Sequence, residues 1–171
     1  FGHEVHGWLW DAFSPEEYRF KGFLSHRPVD DADLPFTWLA DPLEYSPAED
    51  DRFVLAIGDL DVRARLTESL AEKGATFVSF IHPTAVIAAS AEIGAGAVIY
   101  PFAVVSHNAV LGDFVHLSLH ASVCHDAHVG SNCYLSPYAT LTGAASKGAN
   151  VFFGMNGTRA PEWRLGAKSR E

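Results

Sequence analysis

The second half of the chain repeats its hydrophobic pattern every six residues. A branched aliphatic residue stands at each sixth position over eleven repeats: Ile81, Ile87, Ile93, Ile99, Val105, Leu111, Leu117, Val123, Val129, Leu135 and Leu141. The position two residues before each aliphatic also repeats, and it holds a small residue or valine: Ala91, Ala97, Ala103, Ala109, Val115, Ala121, Ala127, Cys133, Ala139 and Ala145. An α-helix turns every 3.6 residues and cannot keep a six-residue period on one face.

A three-sided coil accounts for this period. Three strands of six residues make a turn of eighteen, and both inner positions point into the shaft because side chains alternate along a strand. Glycine recurs at the same eighteen-residue spacing: Gly94, Gly112, Gly130, Gly148 and Gly166. We expect these glycines at a corner whose backbone conformation other residues avoid. The pattern predicts a left-handed parallel β-helix of hexapeptide repeats over residues 81–171. Lys147 and Arg159 interrupt the aliphatic positions, and Phe153 and Leu165 keep the frame.

The first eighty residues lack this period and indicate a small α/β domain. Residues 52–58 predict a buried parallel strand that ends in glycine, and residues 75–81 predict a second strand. Between them we expect a helix that starts at Asp59 or Asp61 and ends at about Lys73. Its apolar face is formed by Val62, Leu66 and Leu70. Together these segments predict a β-α-β unit.

An earlier unit of the same kind is indicated before residue 52. Residues 5–13 predict a helix after a short loop, and residues 21–24 predict a short strand. The segment 27–51 is rich in Pro and Asp, which favours a loop, with Trp38 and Leu39 as local anchors.

Residues 1–80 are therefore predicted to form a Rossmann-like α/β domain whose first strand precedes Phe1. Ligands of such parallel sheets bind at the carboxyl ends of the strands. We expect three pairs of residues to surround one pocket there: Gly2-His3, Ser25-His26 and Gly58-Asp59. No complete G-x-G-x-x-G motif accompanies them, so this prediction rests on position alone.

Composition narrows the possible functions. The 171 residues carry a formal net charge of −9, with 48% hydrophobic and 19% charged residues, which is typical of a globular protein. The acidic balance argues against a partner that is a nucleic acid. No apolar run approaches the roughly 20 residues that a membrane span needs. Two cysteines form no disulfide framework, so we expect reduced thiols and a cytoplasmic setting.

Nine histidines are many for this length, and six of them lie from His82 onward. His107, His125 and Gly143 are eighteen residues apart, so they are predicted to stack at one corner of successive coils. A histidine beside a backbone N–H without a neighbouring side chain suits acyl transfer. The imidazole removes a proton from the attacking amine or hydroxyl, and the N–H receives the oxyanion. Asp126 is placed to bind one ring nitrogen and to fix its tautomer.

The histidines and cysteines also have structural interpretations that involve no catalysis. Histidine at a solvated corner is commonly a polar turn residue, and this interpretation is favoured for His107, His116, His120 and His128. His3 and His26 also fit ordinary surface residues. Cys133 falls on an inner position and fits core packing. Cys124 has His125 as its only nearby base, which argues against a nucleophilic role. The two cysteines are half a coil apart, which does not favour a disulfide.

Several segments resemble the bacterial sugar acetyltransferases of the sialic acid O-acetyltransferase and bacillosamine-pathway N-acetyltransferase type. They are HPTAVIAASAEIGAG (82–96), HASVCHDAHVG (120–130), YATLTG (138–143), FFGMN (152–156), FVLAIGDLDVRARL (53–66) and FGHEV (1–5). The resemblance implies an acetyl-CoA donor, an amino or hydroxyl acceptor on a sugar that is often nucleotide-linked, and a role in surface-glycan biosynthesis. It also implies a homotrimer with active sites between subunits, and no metal.

The resemblance assigns roles to residues of this chain. The catalytic histidine corresponds to His125, its acidic neighbour to Asp126, and the glycine whose amide contacts the acetyl carbonyl to Gly143. The nucleotide-binding loops correspond to Gly2-His3 and to residues 57–59. The chain departs from the family pattern at three places, where it has Tyr134, Ser118 and the pair Ser25-His26. Tyr134 and Ser118 are therefore candidate neighbours of the active site.

Two other functions remain compatible with the same shaft. One is a zinc enzyme of the γ-carbonic-anhydrase type, because His120 and His125 have a suggestive spacing. The other is a trimeric scaffold without activity. The sequence leaves open whether nitrogen or oxygen is acetylated, and which sugar and nucleotide are used.

Overall fold

The computed structural model describes residues 1–28 and 37–159 and the backbone of residues 164–165. Residues 29–36, 160–163 and 166–171 lie outside the described residues. Outside the described residues also lie Gly166, part of the predicted loop 27–51, and the side chains of Arg159 and Leu165.

The N-terminal part contains short helices and two separate pairs of parallel strands. Its elements are α1 (Gly2–Gly7), α2 (Leu9–Ala12), β1 (Phe23–Leu24), β2 (Trp38–Ala40), β3 (Arg52–Phe53), α3 (Leu60–Glu72) and β4 (Thr76–Phe77). Strand β1 pairs with β2, and β3 pairs with β4. The two pairs are not joined in one sheet, so a Rossmann-like domain is not confirmed.

Helix α3 agrees closely with its prediction. The Asp59 carboxylate accepts hydrogen bonds from the backbone N–H groups of Asp61 and Val62, both at 3.0 Å, and so caps the first turn. Gly74 follows the helix with φ of +85°, a conformation that glycine adopts at little cost.

Other N-terminal elements differ from their predictions. The predicted helix over 5–13 begins at Gly2 and is divided into α1 and α2. Trp38 and Leu39 lie in β2 rather than in a loop, because the backbone there pairs with β1. The predicted strand over 52–58 is reduced to the two residues that pair with β4. The predicted strand over 75–81 is divided, because its first part pairs with β3 and its last part enters the repeats.

From Phe80 onward the chain forms a parallel β-solenoid with three faces, consistent with a left-handed β-helix. Face 1 contains β5 (Phe80–Ile81), β8 (Val98–Ile99), β11 (His116–Leu117), β14 (Tyr134–Leu135) and β17 (Phe152–Phe153). Face 2 contains β6 (Val86–Ile87), β9 (Val104–Val105), β12 (Ser122–Val123), β15 (Thr140–Leu141) and β18 (Thr158–Arg159). Face 3 contains β7 (Glu92–Ile93), β10 (Val110–Leu111), β13 (His128–Val129), β16 (Ser146–Lys147) and β19 (Arg164–Leu165).

The register confirms the eighteen-residue turn. His116 lies opposite Val98 in one neighbouring coil and opposite Tyr134 in the next. From Ala97 onward both predicted inner positions are buried, for example Ala121 and Val123, neither of which has any solvent exposure. The inner positions of the first coil are partly buried. Side chains that point inward therefore form one continuous core, which stabilises the stacked coils.

Lys147 occupies an aliphatic position of this core and is only 3% exposed. Its Nζ lies 3.5 Å from the centre of the Phe153 ring in the next coil. A desolvated cation–π contact is worth about 2 kcal/mol, which offsets part of the cost of burying this side chain.

The repeated glycines have a different cause from the one predicted. Gly94, Gly112 and Gly130 do not have positive φ; the left-handed corner positions are held by other residues, such as Asn108 and Asp126. A Cβ on any of these three glycines would lie 2.6–2.7 Å from a backbone nitrogen of the next coil. Glycine is thus required by the close approach of successive coils.

Candidate active site

The predicted stack of residues 107, 125 and 143 is present at the corner between faces 2 and 3. The backbone N–H of Asp126 donates to the carbonyl of His107 at 3.0 Å, and the N–H of Ala144 donates to the carbonyl of His125 at 2.9 Å. These bonds hold His107, His125 and Gly143 on one ridge in successive coils.

The His125 imidazole lies directly against Gly143. A Cβ at Gly143 would be 2.5 Å from Nε2 and 2.6 Å from Cε1 of His125, so any other residue would displace the ring. The backbone N–H of Gly143 donates no hydrogen bond to an acceptor within residues 1–28 and 37–159. The His125 ring therefore packs on the residue that carries this N–H.

Asp126 orients the ring from the other side. Its Oδ2 lies 2.9 Å from His125 Nδ1, and its Oδ1 accepts a hydrogen bond of 3.2 Å from Asn108 Nδ2. The bond from His125, followed by that from Asn108, holds the pKa of Asp126 below its usual range. An ionised Asp126 places the ring proton on Nδ1 and leaves the lone pair of Nε2 facing Gly143.

This corner has the parts needed for acyl transfer. Nε2 of His125 can accept a proton from a nucleophile, and the side chain is 65% exposed within the single chain, so a substrate can approach it. The N–H of Gly143 can donate to an oxyanion that forms beside it.

The second group of predicted residues lies in the N-terminal part. A cavity of about 1020 Å³ is lined there by Gly2, His3, Ser25 and His26 among many apolar residues. Ile57 lines it too, whereas Gly58 and Asp59 do not, and Asp59 is used as the cap of α3. Four of the six predicted pocket residues therefore lie together.

Polar contacts fix part of this cavity wall. His26 Nδ1 lies 2.7 Å from the carboxylate of Asp41, and this bond lowers the pKa of Asp41. Lys21 Nζ lies 2.7 Å from Asp51 Oδ1, and the Tyr45 hydroxyl donates to Asp51 Oδ2 at 2.7 Å. The bond from Lys21 lowers the pKa of Asp51 to about 2, so the carboxylate stays ionised.

Ser118 and Tyr134 lie on face 1, across the shaft from the ridge of His125. Ser118 is buried, and the Tyr134 ring stacks on Phe152 at 5.3 Å, with burial raising the pKa of its phenol. A single chain does not bring these two candidates next to His125.

His116 differs from the polar turn residue that was expected. It lies on face 1, is 1% exposed, and stacks with Phe1 at a ring separation of 5.5 Å. Neither ring nitrogen has a hydrogen-bond partner among the described residues. Burial, with a smaller effect from the charge of Arg63, lowers the pKa of His116 well below its usual value.

The remaining histidines of the solenoid have structural surroundings. His120 stacks between Phe102 and Tyr138 at the corner between faces 1 and 2, and His107 Nδ1 contacts the Ser90 hydroxyl at 2.7 Å. His128 is exposed on face 3.

A zinc site built on His120 and His125 is not supported. The strand β12 separates the two residues, so their rings lie at different corners of the shaft. Within the part of the chain that the structure describes, no three His, Cys, Asp or Glu side chains are grouped to hold a metal ion.

The two cysteines are free thiols. Cys133 is fully buried on the inner position that was predicted for it, and burial raises the pKa of its thiol. Cys124 is partly exposed beside His125.

The burial of Arg63 of α3 was not predicted from the sequence. It shares a helix face with Leu66 and Leu70, and all three are buried. The spacing of three and seven residues places Arg63 on this face, but only Val62, Leu66 and Leu70 were named there from the sequence.

No protein-family model matches the chain, and no curated protein matches it in sequence. Solved structures do match. PerB from Caulobacter crescentus, in complex with CoA and GDP-perosamine, is 23% identical, with 83% of this chain and 78% of that chain covered and a TM-score of 0.66. WeeI from Acinetobacter baumannii AYE is 25% identical, with 91% and 74% covered and a TM-score of 0.74.

A third match is the acetyltransferase domain of PglB from Neisseria gonorrhoeae FA1090 in complex with acetyl coenzyme A. It is 22% identical, with 85% of this chain and 79% of that chain covered and a TM-score of 0.56. Perosamine N-acetyltransferase and the PglB domain are both acetyltransferases, and PerB was solved with a sugar nucleotide. The resemblance predicted from the sequence is thus confirmed in the fold.

Among the described residues, no helix has both the length and the apolar character that crossing a lipid bilayer would require.

Proposed function

We propose that this chain transfers the acetyl group of acetyl-CoA to an amino or hydroxyl group of a sugar. The sugar is proposed to be free or linked to a nucleotide. The observation that carries the proposal is the His125 imidazole lying against Gly143, with Asp126 on Nδ1. The neighbours support the donor and the acceptor class. PerB was solved with CoA and GDP-perosamine, and the PglB domain with acetyl coenzyme A.

In the proposed mechanism His125 is the general base. Nε2 takes a proton from the acceptor as the acceptor nitrogen or oxygen bonds to the thioester carbonyl carbon. The carbonyl oxygen becomes an oxyanion, which accepts a hydrogen bond from the N–H of Gly143. The carbon–sulfur bond then breaks, the C=O re-forms, and the leaving thiolate takes the proton from His125. Free CoA and the acetylated acceptor are released.

Asp126 supports this cycle from Nδ1. Its ionised carboxylate stabilises the imidazolium that exists between proton uptake and proton release. A histidine-to-asparagine variant of perosamine N-acetyltransferase is among the structural neighbours, which is consistent with a histidine role in that enzyme.

The N-terminal part is the proposed acceptor site. We assign residues 1–80 to a Rossmann-like acceptor domain and residues 81–171 to a left-handed β-helix transferase domain. The proposed acceptor contacts are Gly2, His3, Ser25 and His26, which line the cavity. Gly58 and Asp59, which follow Ile57 in the chain, are kept as proposed contacts.

We further propose a homotrimer in the cytoplasm that serves surface-glycan biosynthesis. A neighbouring copy would cover the exposed His125 ridge, so that each active site would lie between two subunits. Native mass spectrometry tests this assembly: three copies are expected, and a monomer as the sole species contradicts it.

The enzymatic proposal is tested by release of the CoA thiol. Acetyl-CoA is incubated with UDP-, GDP-, dTDP- and CMP-linked amino sugars in the presence of the wild type or His125→Ala. At least one acceptor is expected to give turnover that requires His125. No turnover with any acceptor would favour a scaffold without activity.

A further inference from the structure

Arg63 is a charged side chain with no solvent exposure. It lies in the first turns of α3 and faces the solenoid, whereas Arg65 on the same helix is exposed. Burial lowers the pKa of Arg63 to about 10, which still leaves it charged at neutral pH.

The guanidinium group joins the two parts of the molecule. Its Nε donates to Asn132 Oδ1 at 2.6 Å, and its Nη2 donates to the carbonyl of Cys133 at 3.1 Å; both acceptors belong to the solenoid. Its Nη1 donates to the carbonyl of Ile57 at 3.2 Å. Ile57 lines the N-terminal cavity, so one side chain binds both the cavity wall and the shaft.

Asn132 also donates a hydrogen bond from the solenoid to α3. Its Nδ2 donates to the carbonyl of Leu60 at 3.0 Å and to Asn150 Oδ1 at 2.7 Å. Asn132 holds a left-handed corner with φ of 55°, so its backbone position is fixed by the coil. The Arg63–Asn132 pair therefore crosses the boundary in both directions.

Stability alone is a poor explanation for this arrangement. No ion pair to Arg63 is present among the described residues, so the cation is buried without a carboxylate partner. It also lies near the positive end of the helix dipole. A well-packed apolar side chain would commonly be at least as stable in such a place. The planar fork of arginine offers directional bonds that an apolar side chain lacks.

We propose that Arg63 is a positioning residue that holds the loop of Ile57 at one fixed orientation against the solenoid. This inference rests on the proposed function and the proposed trimer, because the loop would present the acceptor to the acetyl-transfer site of a neighbouring copy. The orientation matters because small misplacements of reacting groups cost much of the rate.

The kinetic test compares Arg63→Met and Arg63→Lys with the wild type, using the amino-sugar nucleotide that the wild type acetylates fastest. The KM for that acceptor is expected to rise at least tenfold in Arg63→Met, while the KM for acetyl-CoA stays within twofold. Arg63→Lys keeps the charge but loses the fork, so it is expected to recover only part of the affinity. Arg65→Met is the matched control and should behave as the wild type.

A second measurement does not depend on the acceptor. Hydrogen–deuterium exchange of residues 54–60 is expected to accelerate in Arg63→Met and in Asn132→Gly, but not in Arg65→Met, while the coils keep their protection. Glycine tolerates the left-handed corner, so Asn132→Gly removes the bond to Arg63 without straining the backbone. This variant provides the measurement if Arg63→Met does not fold.

The two measurements separate two failures. If the wild type acetylates no acceptor but the loop loosens in the variants, the proposed function fails and the positional coupling stands. If exchange of residues 54–60 is unchanged, or if the variants lose only thermal stability with an unchanged acceptor KM, the inference about Arg63 is overturned.

Discussion

Two histidines of the solenoid, nine positions apart, have opposite surroundings. His125 stands on an exposed corner, with Asp126 on one ring nitrogen and Gly143 against the other. His116 lies on face 1 beneath Phe1, and both of its ring nitrogens lack partners among the described residues. The same side chain is thus available for proton transfer at the corner and is held neutral on the face.

The cause of the difference is the geometry of the coil. A corner leaves space beside the backbone and brings residues of neighbouring coils onto one ridge. A face presents its outward side chains to whatever packs on it, and here the N-terminal part covers face 1. Exposure and a partner decide which of the two imidazoles can act as a base.

The largest effect is expected from His125→Ala. Loss of a general base typically lowers the rate by 10²–10⁴-fold, so acetyl transfer should fall about 10³-fold in a thiol-release assay. His128→Ala is the matched control, because His128 is also exposed but lies on strand β13 of face 3 and not on the ridge itself. Equal activity of His125→Ala and His128→Ala would remove the distinction between the corner and the rest of the solenoid.

A smaller loss is expected from Gly143→Ala. The new Cβ would lie 2.5 Å from His125 Nε2, so the imidazole must move away from its place beside the N–H. A displacement of about 1 Å can cost 10²-fold in rate, which is the expected order of the effect. Gly7→Ala is the control, because a Cβ there meets nothing within 4 Å. Full activity of Gly143→Ala with an unmoved ring would contradict the close packing at this corner.

The smallest effect concerns His116 and is one of stability rather than rate. Its pKa is lowered in the folded protein, so above pH 6.5 both states are neutral and no stability depends on it. As pH falls below about 6.5, His116 becomes protonated in the unfolded chain but stays neutral in the folded protein. The free energy of unfolding therefore decreases. The decrease is at most about 1.4 kcal/mol for each pH unit.

His116→Phe keeps the ring stack and removes this titration. Urea unfolding at pH 7.5, 6.5 and 5.5 should therefore give a shallower loss of stability for His116→Phe than for the wild type. The same slope for His116→Phe and the wild type would mean that the face does not hold this imidazole neutral.

The solenoid could be predicted from the sequence because each residue contacts the residues eighteen positions before and after it. That is why the stack of His107, His125 and Gly143 was predicted correctly without coordinates. The reason for the repeated glycines was not, since contact between backbones of successive coils leaves no mark in the sequence other than glycine itself.

The N-terminal part was less readable because its contacts are not local. The pairing of β2 with β1 overrides the Pro-rich composition around Trp38. The burial of Arg63 depends on Asn132, which is 69 positions away, and so no pattern within α3 could identify its partner. Helix α3 itself was predicted because its cap and its stop are local signals.

The most direct test of the central claim uses an isotopically labelled acetyl group. Labelled acetyl-CoA and the panel of amino-sugar nucleotides are incubated with the wild type or with His125→Ala, and the acceptors are weighed by mass spectrometry. The labelled acetyl group is expected on one acceptor with the wild type and on none above background with His125→Ala. Equal labelling by both proteins, or no labelling by the wild type, would contradict a ridge built for acetyl transfer.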